Sequence, residues 1–176
     1  MRDWLAANHA TSTGTWIATY KKHHPDYLPW TQAVEELLCW GWVDGQVAAL
    51  DADRMRHRCA PRNPRSAWSA VNKGIVARMR ETGRMTPAGE AAIAAALANG
   101  MWDFLDDVER LEVPPDLAAA LATAQATTAW QAYPGSVRRG TLEWIKTART
   151  APTRAARIED TAASAARGLR PKPFRR

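Results

Sequence analysis

Residues 37–46, LLCWGWVDGQ, force a change of backbone conformation within a few positions. Upstream, Ala33, Val34, Leu37 and Leu38 recur at helical spacing. That predicts a helix from a Thr31 N-cap to about Trp40, with Gln32, Glu35 and Glu36 facing outward. Gly41 suits the helix C-terminus, because a left-handed cap costs glycine little. Beyond it WVDGQVAAL reads as a strand, with Asp44-Gly45 a tight turn or bulge. Helix and strand meeting across one glycine point to the α+β class.

The remaining segments extend that reading. Residues 2–10 look like the end of a helix with Trp4 and Leu5 as apolar contacts, and TWIATY (15–20) reads as a strand. DADR marks a hairpin and MRHRCAP a return strand, whose alternation over 55–59 puts one face in and one out. Pro61 and Pro64 stop the sheet. A helix capped by Ser66 or Ser69 follows, its stripe Val71, Ile75 and Met79 buried and Lys73, Arg78 and Arg80 exposed. Thr86-Pro87 starts another helix and Gly100 stops it. After the linker Pro114-Pro115, helices near 115–131, 136–149 and 152–167 suit a small bundle built on Leu117, Leu121, Trp130, Leu142, Ile145 and Ile158. The expected fold is α+β: a small antiparallel sheet packed with helices (1–112), then a C-terminal helical subdomain (113–168) and a basic, disordered tail (169–176).

Charge is unevenly spread. From residue 137 onward there are 11 Arg and Lys against three acids, so residues 1–136 hold the other 13 basic and 15 acidic residues. Such asymmetry marks either a solvated basic helix surface or a polyanion partner. For nucleic acid the contacts would be Arg138, Arg139, Lys146, Arg149, Arg154 and Arg157. No apolar run has the roughly 20 residues of a membrane span, and the N-terminus lacks a secretory h-region. The two cysteines, Cys39 and Cys59, read as reduced thiols of a cytoplasmic protein.

Several segments together resemble the bacteriocin-protection YdeI/OmpD-associated family: WLAANHATSTGTWIATYKK, AVEELLCWGWVDGQ, PRNPRSAWSAVN, GRMTPAG, VPPDLAAAL and LEWIKTARTAPTRAARIE. Members usually read close to ALCFGWIDG where this chain has LLCWGWVDG. They commonly begin further upstream, so the resemblance implies a different start or a missing N-terminal element. The family name implies tolerance of bacteriocins or cationic antimicrobial peptides and brings no agreed catalytic activity, so function has to be argued from the site.

The candidate site draws on two of those segments. Alternation places Trp42 and Asp44 on one strand face. Arg62 and Arg65 precede a helix N-terminus, whose first amides attract anions, and Ser66, Ser69 and Asn72 add polar groups. Arginine suits an oxyanion because its planar fork bonds at two points, and Trp68 can stack on a ligand. The ligand-binding set is Trp42, Asp44, Arg62, Ser66, Trp68, Ser69 and Asn72, with Lys21, Lys22 and Arg65 as further anion contacts. It would take a small anionic or amphipathic molecule. The competing reading makes both tryptophans core, Asp44 a turn former and the arginines solvated. A third reading is an enzyme using the same pocket with Asp44 as general base. His57 and Cys59 share a strand face but lack the company of a metal site, and no metal or cofactor is implied.

Overall fold

A computed structural model of the chain describes residues 1–175. They divide into two compact units, Met1–Phe104 and the residues from Leu105 onward. The fold is α+β.

The first unit holds α1 (Arg2–Asn8), β1 (Thr15–Tyr20), α2 (Trp30–Cys39), β2 (Trp42–Ala49), β3 (Arg54–Pro61), α3 (Ala70–Glu81) and α4 (Pro87–Ala98). The strands form an antiparallel sheet of order β1-β3-β2. Between the pairs Asp44↔Cys59 and Val47↔His57 the register slips, so Gly45 and Gln46 face Arg58 alone. This is the bulge that Asp44-Gly45 signalled, and it bends β2. Register assigns Ile17, Thr19, Trp42, Asp44, His57 and Cys59 to the face under α1 and α2. The opposite face carries Trp16, Ala18 and Tyr20 beside Arg58, Arg56 and Arg54.

Two apolar clusters stabilise this unit. Leu5, Leu37, Trp42 and Cys59 pack α1 and α2 on the sheet. Leu38, Cys39, Trp68, Ile75, Val76, Met79, Ile93 and Ala96 join α2, α3 and α4. The α3 stripe differs from the periodicity reading: Val71, in the first turn, is 72% exposed, and Val76 takes its place inside. Ser69 rather than Ser66 caps α3, accepting from the Asn72 amide at 3.3 Å. Helix α2 starts one residue before Thr31, with Pro29 at its N-cap.

Gly41 closes α2 at φ +71°, and a Cβ there would lie 3.0 Å from the Ala88 carbonyl oxygen and from the Ala92 Cβ. Helix α4 therefore docks directly on the end of α2. Thr86 caps α4 and also donates to the Cys39 carbonyl at 2.7 Å. One turn on, a Cβ at Gly89 would sit 2.3 Å from that same oxygen.

The second unit contains α5 (Asp106–Glu109), α6 (Pro115–Thr123), α7 (Thr127–Gln131), α8 (Gly135–Lys146) and α9 (Ala151–Ala166). The helix expected over 115–131 is broken in two, with Gln125 at φ +53° between the pieces. Helix α9 packs against α6, α7 and α8 around Leu117, Leu121, Trp130, Leu142, Ile145 and Ile158. The segment read as a disordered tail contains a 3-10 turn, Lys172–Phe174. It is tied down by Arg175 to Asp160 at 2.6 Å and by Phe174 filling the space beside Gly140. Arg176 lies outside the described residues. Among the described residues no helix is long and apolar enough to cross a membrane.

Close packing at Gly89 and open space at Gly74 predict opposite responses to the same change. Gly89→Ala should destabilise by about 1–3 kcal/mol through overpacking against backbone. Nothing lies within 4 Å of a Cβ at Gly74, so Gly74→Ala should stabilise by about 0.5–1 kcal/mol through helix propensity. Urea denaturation of both variants checks the pair.

Candidate functional site

The residues expected to line one pocket are distributed differently. Trp42 and Trp68 are each 1% exposed and belong to different clusters, so neither ring has a face for a ligand. Trp42 meets the Trp4 ring edge-on and donates to the His9 carbonyl at 3.3 Å. Arg62 lies over the Trp68 ring at 4.1 Å and donates to the Ala67 carbonyl. Burial lowers its pKa, and its Nε is buried with no partner among the described residues. The Ser69 hydroxyl is occupied accepting from the Asn72 backbone amide in the α3 cap, Ser66 sits in the turn before it with its amide bonded to the Asn63 carbonyl, and Arg65 is exposed. Lys21 and Lys22 are at the wrong end of the sheet. Tyr20 pairs with Arg54, about 23 Å along β3 from Pro61 at the strand rise of about 3.3 Å. Lys21 spans the hairpin there, donating to the Asp51 and Ala52 carbonyls.

What the fold does bring together lies under α2. Its N-terminus faces β1 across a cleft of about 640 Å³, with Ile17, Thr19, Leu28 and Trp30 at one end and Arg2, Glu36 and Arg84 at the other. Trp30 and Glu36 are six residues apart, about 9 Å along the helix axis.

The charged end centres on Glu36, whose side chain is 7% exposed. Arg2 from α1 reaches its two oxygens at 3.0 and 3.2 Å. Arg84, after the α3 cap, donates at 2.8 Å, and the Trp40 indole donates at 2.9 Å. Burial pushes the carboxyl up, yet the Trp40 and Arg84 bonds and the charges of Arg2 and Arg84 outweigh it and hold the pKa below its ordinary 4.5. A carboxylate with this many donors is a structural anion, poorly suited to accepting a further proton in catalysis.

The other end is aromatic. Trp30 stacks on His57 with ring centres 3.6 Å apart and donates to Asp44 Oδ2 at 2.8 Å. Thr19 Oγ1 lies 3.1 Å from His57 Nε2, and His57 Nδ1 is buried with no partner among the described residues. Burial lowers the His57 pKa, opposed by the Asp44 charge. Burial, and then Asp44, push the Cys59 thiol up to about 11, and burial with the Glu36 charge raises Cys39. Both thiols are therefore packing groups at neutral pH. Among the described residues no three His, Cys, Asp or Glu converge as metal ligands.

Asp44 thus sits behind the aromatic end of the cleft as the acceptor of the Trp30 indole, away from Trp42's packing. Trp30, Glu36, Arg2 and Arg84 were missed. Glu36, expected to face outward, is buried instead: it lies three residues after Ala33 and four before Trp40, which turns it inward.

The six basic residues considered for nucleic acid are largely engaged within the second unit. Arg139 bonds Glu109 and Glu143, Lys146 bonds Asp107, and Arg154 bonds Asp116, at 2.6–2.7 Å in the shortest contacts. Arg157 lies over Trp144 and donates to its carbonyl. Arg138 is half-buried, and Arg149 is exposed.

Residues 1–92, more than half of the chain, match the family model described as a domain of unknown function, DUF8412. The chain belongs to that family. Residues 110–168, within the second unit, match the model described as "Bacteriocin-protection, YdeI or OmpD-Associated". This is the family that the sequence resembles. No match is found among curated proteins or among solved structures.

The Glu36 cluster makes a pH-dependent prediction. Removing one partner of a buried ion pair costs about 3–5 kcal/mol, and screening at the half-exposed arginines reduces this to about 2–3 kcal/mol. Glu36→Gln should lose that amount at neutral pH. A depressed folded-state pKa contributes stability above the unfolded value, and this is lost as pH falls through the folded value. The gap between variant and parent should therefore be constant above pH 4.5 and shrink below it, as thermal unfolding across pH will show.

Proposed function

We propose that this is a cytoplasmic protein of bacteriocin-protection or stress type that binds a small amphipathic molecule in the cleft between β1 and α2. The match of residues 110–168 supports the broad role. The division of the cleft into an aromatic end at Trp30 and a charged end at Glu36 carries the ligand class. Pockets that bind small molecules are mostly apolar with a few convergent polar groups, and this cleft has that make-up. Glu36 already pairs Arg2 and Arg84, so a purely anionic ligand would find its counter-charge engaged. An apolar body on Leu28 and Trp30, with a polar head toward Arg84, uses both ends.

Leu28 is 64% exposed, which makes it a safe place to disturb the cleft without the core. Titration with a medium-chain acyl amphiphile, below its micelle concentration, should quench tryptophan emission saturably. Leu28→Asp and Trp30→Ala should each weaken binding by about tenfold, the 1–2 kcal/mol expected for one lost apolar contact. Arg65→Ala should leave it unchanged. A non-saturable response, or equal affinity in all three variants, would remove the cleft from consideration.

A further inference from the structure

The sheet face turned away from α1 and α2 bears a pattern that touches the cleft only at Ala18, on the edge strand. On it β1 presents Trp16 and Tyr20, 44% and 37% exposed, with Ala18 between them; one face of Tyr20 is stacked on His24 at 3.7 Å, which leaves its other face to a base. Opposite these on β3 stand Arg58, Arg56 and Arg54. Arg56 lies over the Trp16 ring at 4.9 Å. Arg58 donates only to the backbone carbonyls of Thr15 and Cys59 among the described residues, which leaves its charge unneutralised. Arg54 pairs with Asp51 at the hairpin end. Arg56 and Arg58 have no carboxylate partner among the described residues, and register puts Asp44 on the other face.

We infer that this face binds single-stranded nucleic acid. Two exposed rings four positions apart on a strand are separated by about 13 Å, with a small residue leaving the gap open. Sheet-borne aromatics stack unpaired bases in this manner, and a neighbouring row of cations tracks the phosphates. Arginine contributes twice, as a phosphate fork and as a plane that stacks. The charge is complementary to a polyanion, and besides the arginines and the two rings the face carries Ala18, Val43, Ala48 and Ala60 by register. This surface does not include the basic residues of the C-terminal helices, three of which, Arg139, Lys146 and Arg154, already have acidic partners.

The test is fluorescence anisotropy of a short labelled oligothymidylate with the full chain, at low and physiological salt. Saturable binding that prefers single strand to duplex and weakens with salt is expected. Trp16→Ala and Arg56→Glu should each reduce affinity about tenfold while keeping the parent's melting temperature, as one lost stacking contact or charge predicts. Arg149→Glu, an exposed change in the second unit that is not part of this face, should have less than about a twofold effect, since salt screens charges that do not contact the strand. No binding at low salt would overturn the proposal. So would equal losses in Arg56→Glu and Arg149→Glu, which would reduce the effect to net charge, or preferential binding to anionic vesicles over the oligonucleotide.

Discussion

The first unit is organised around one buried anion. A carboxylate removed from water is costly unless its oxygens are bonded, and Glu36 collects donors from α1, from its own helix and from the turn after α3. Those donors come from segments that are distant in sequence, so satisfying one charge fixes three pieces of chain. Arg2 also donates to the Arg84 carbonyl at 3.0 Å, which joins two of those pieces directly. The cleft beside β1 is a consequence. Its charged end is this cluster, and its aromatic end is the first turn of the same helix.

The other constraint is the close approach of α4 to the end of α2. Gly41 and Gly89 let the two helices meet backbone to backbone, and Thr86 bonds the Cys39 carbonyl left free at the helix end. This contact places Leu38 and Cys39 in one cluster while Leu37 and Trp42 enter the other. The two cores meet along α2, with Trp40 packed against both, and the tryptophans on either side of Gly41 take different parts. Trp42 becomes packing for the sheet, and Trp40 turns its indole nitrogen to Glu36.

Much of the fold was legible in the sequence because it rests on local rules. The Gly41 stop, the Thr86-Pro87 start, the Asp44-Gly45 bulge and the alternation of β3 all appear where short-range chemistry puts them. The site was less legible because it depends on long-range partners. Arg2 and Arg84 are 34 and 48 positions from Glu36, so no periodicity in α2 reveals them. A dense polar stretch such as PRNPRSAWSAVN looks functional, yet its serine caps a helix and its arginine stacks on a core indole. Val71 followed the stripe of α3 but lies in the first turn, beyond the reach of the neighbouring helix cluster.

The central claim is that its donors hold Glu36 as an anion, with a pKa below its ordinary value despite burial. Carbon-detected NMR titration of the side-chain carboxyl tests it most directly. A midpoint below 4.5, with the Trp40 indole proton moving at the same midpoint, is the predicted result. A midpoint above 4.5, or an indole signal indifferent to it, would mean that burial wins over the donors. The cluster would then not be what holds the unit together.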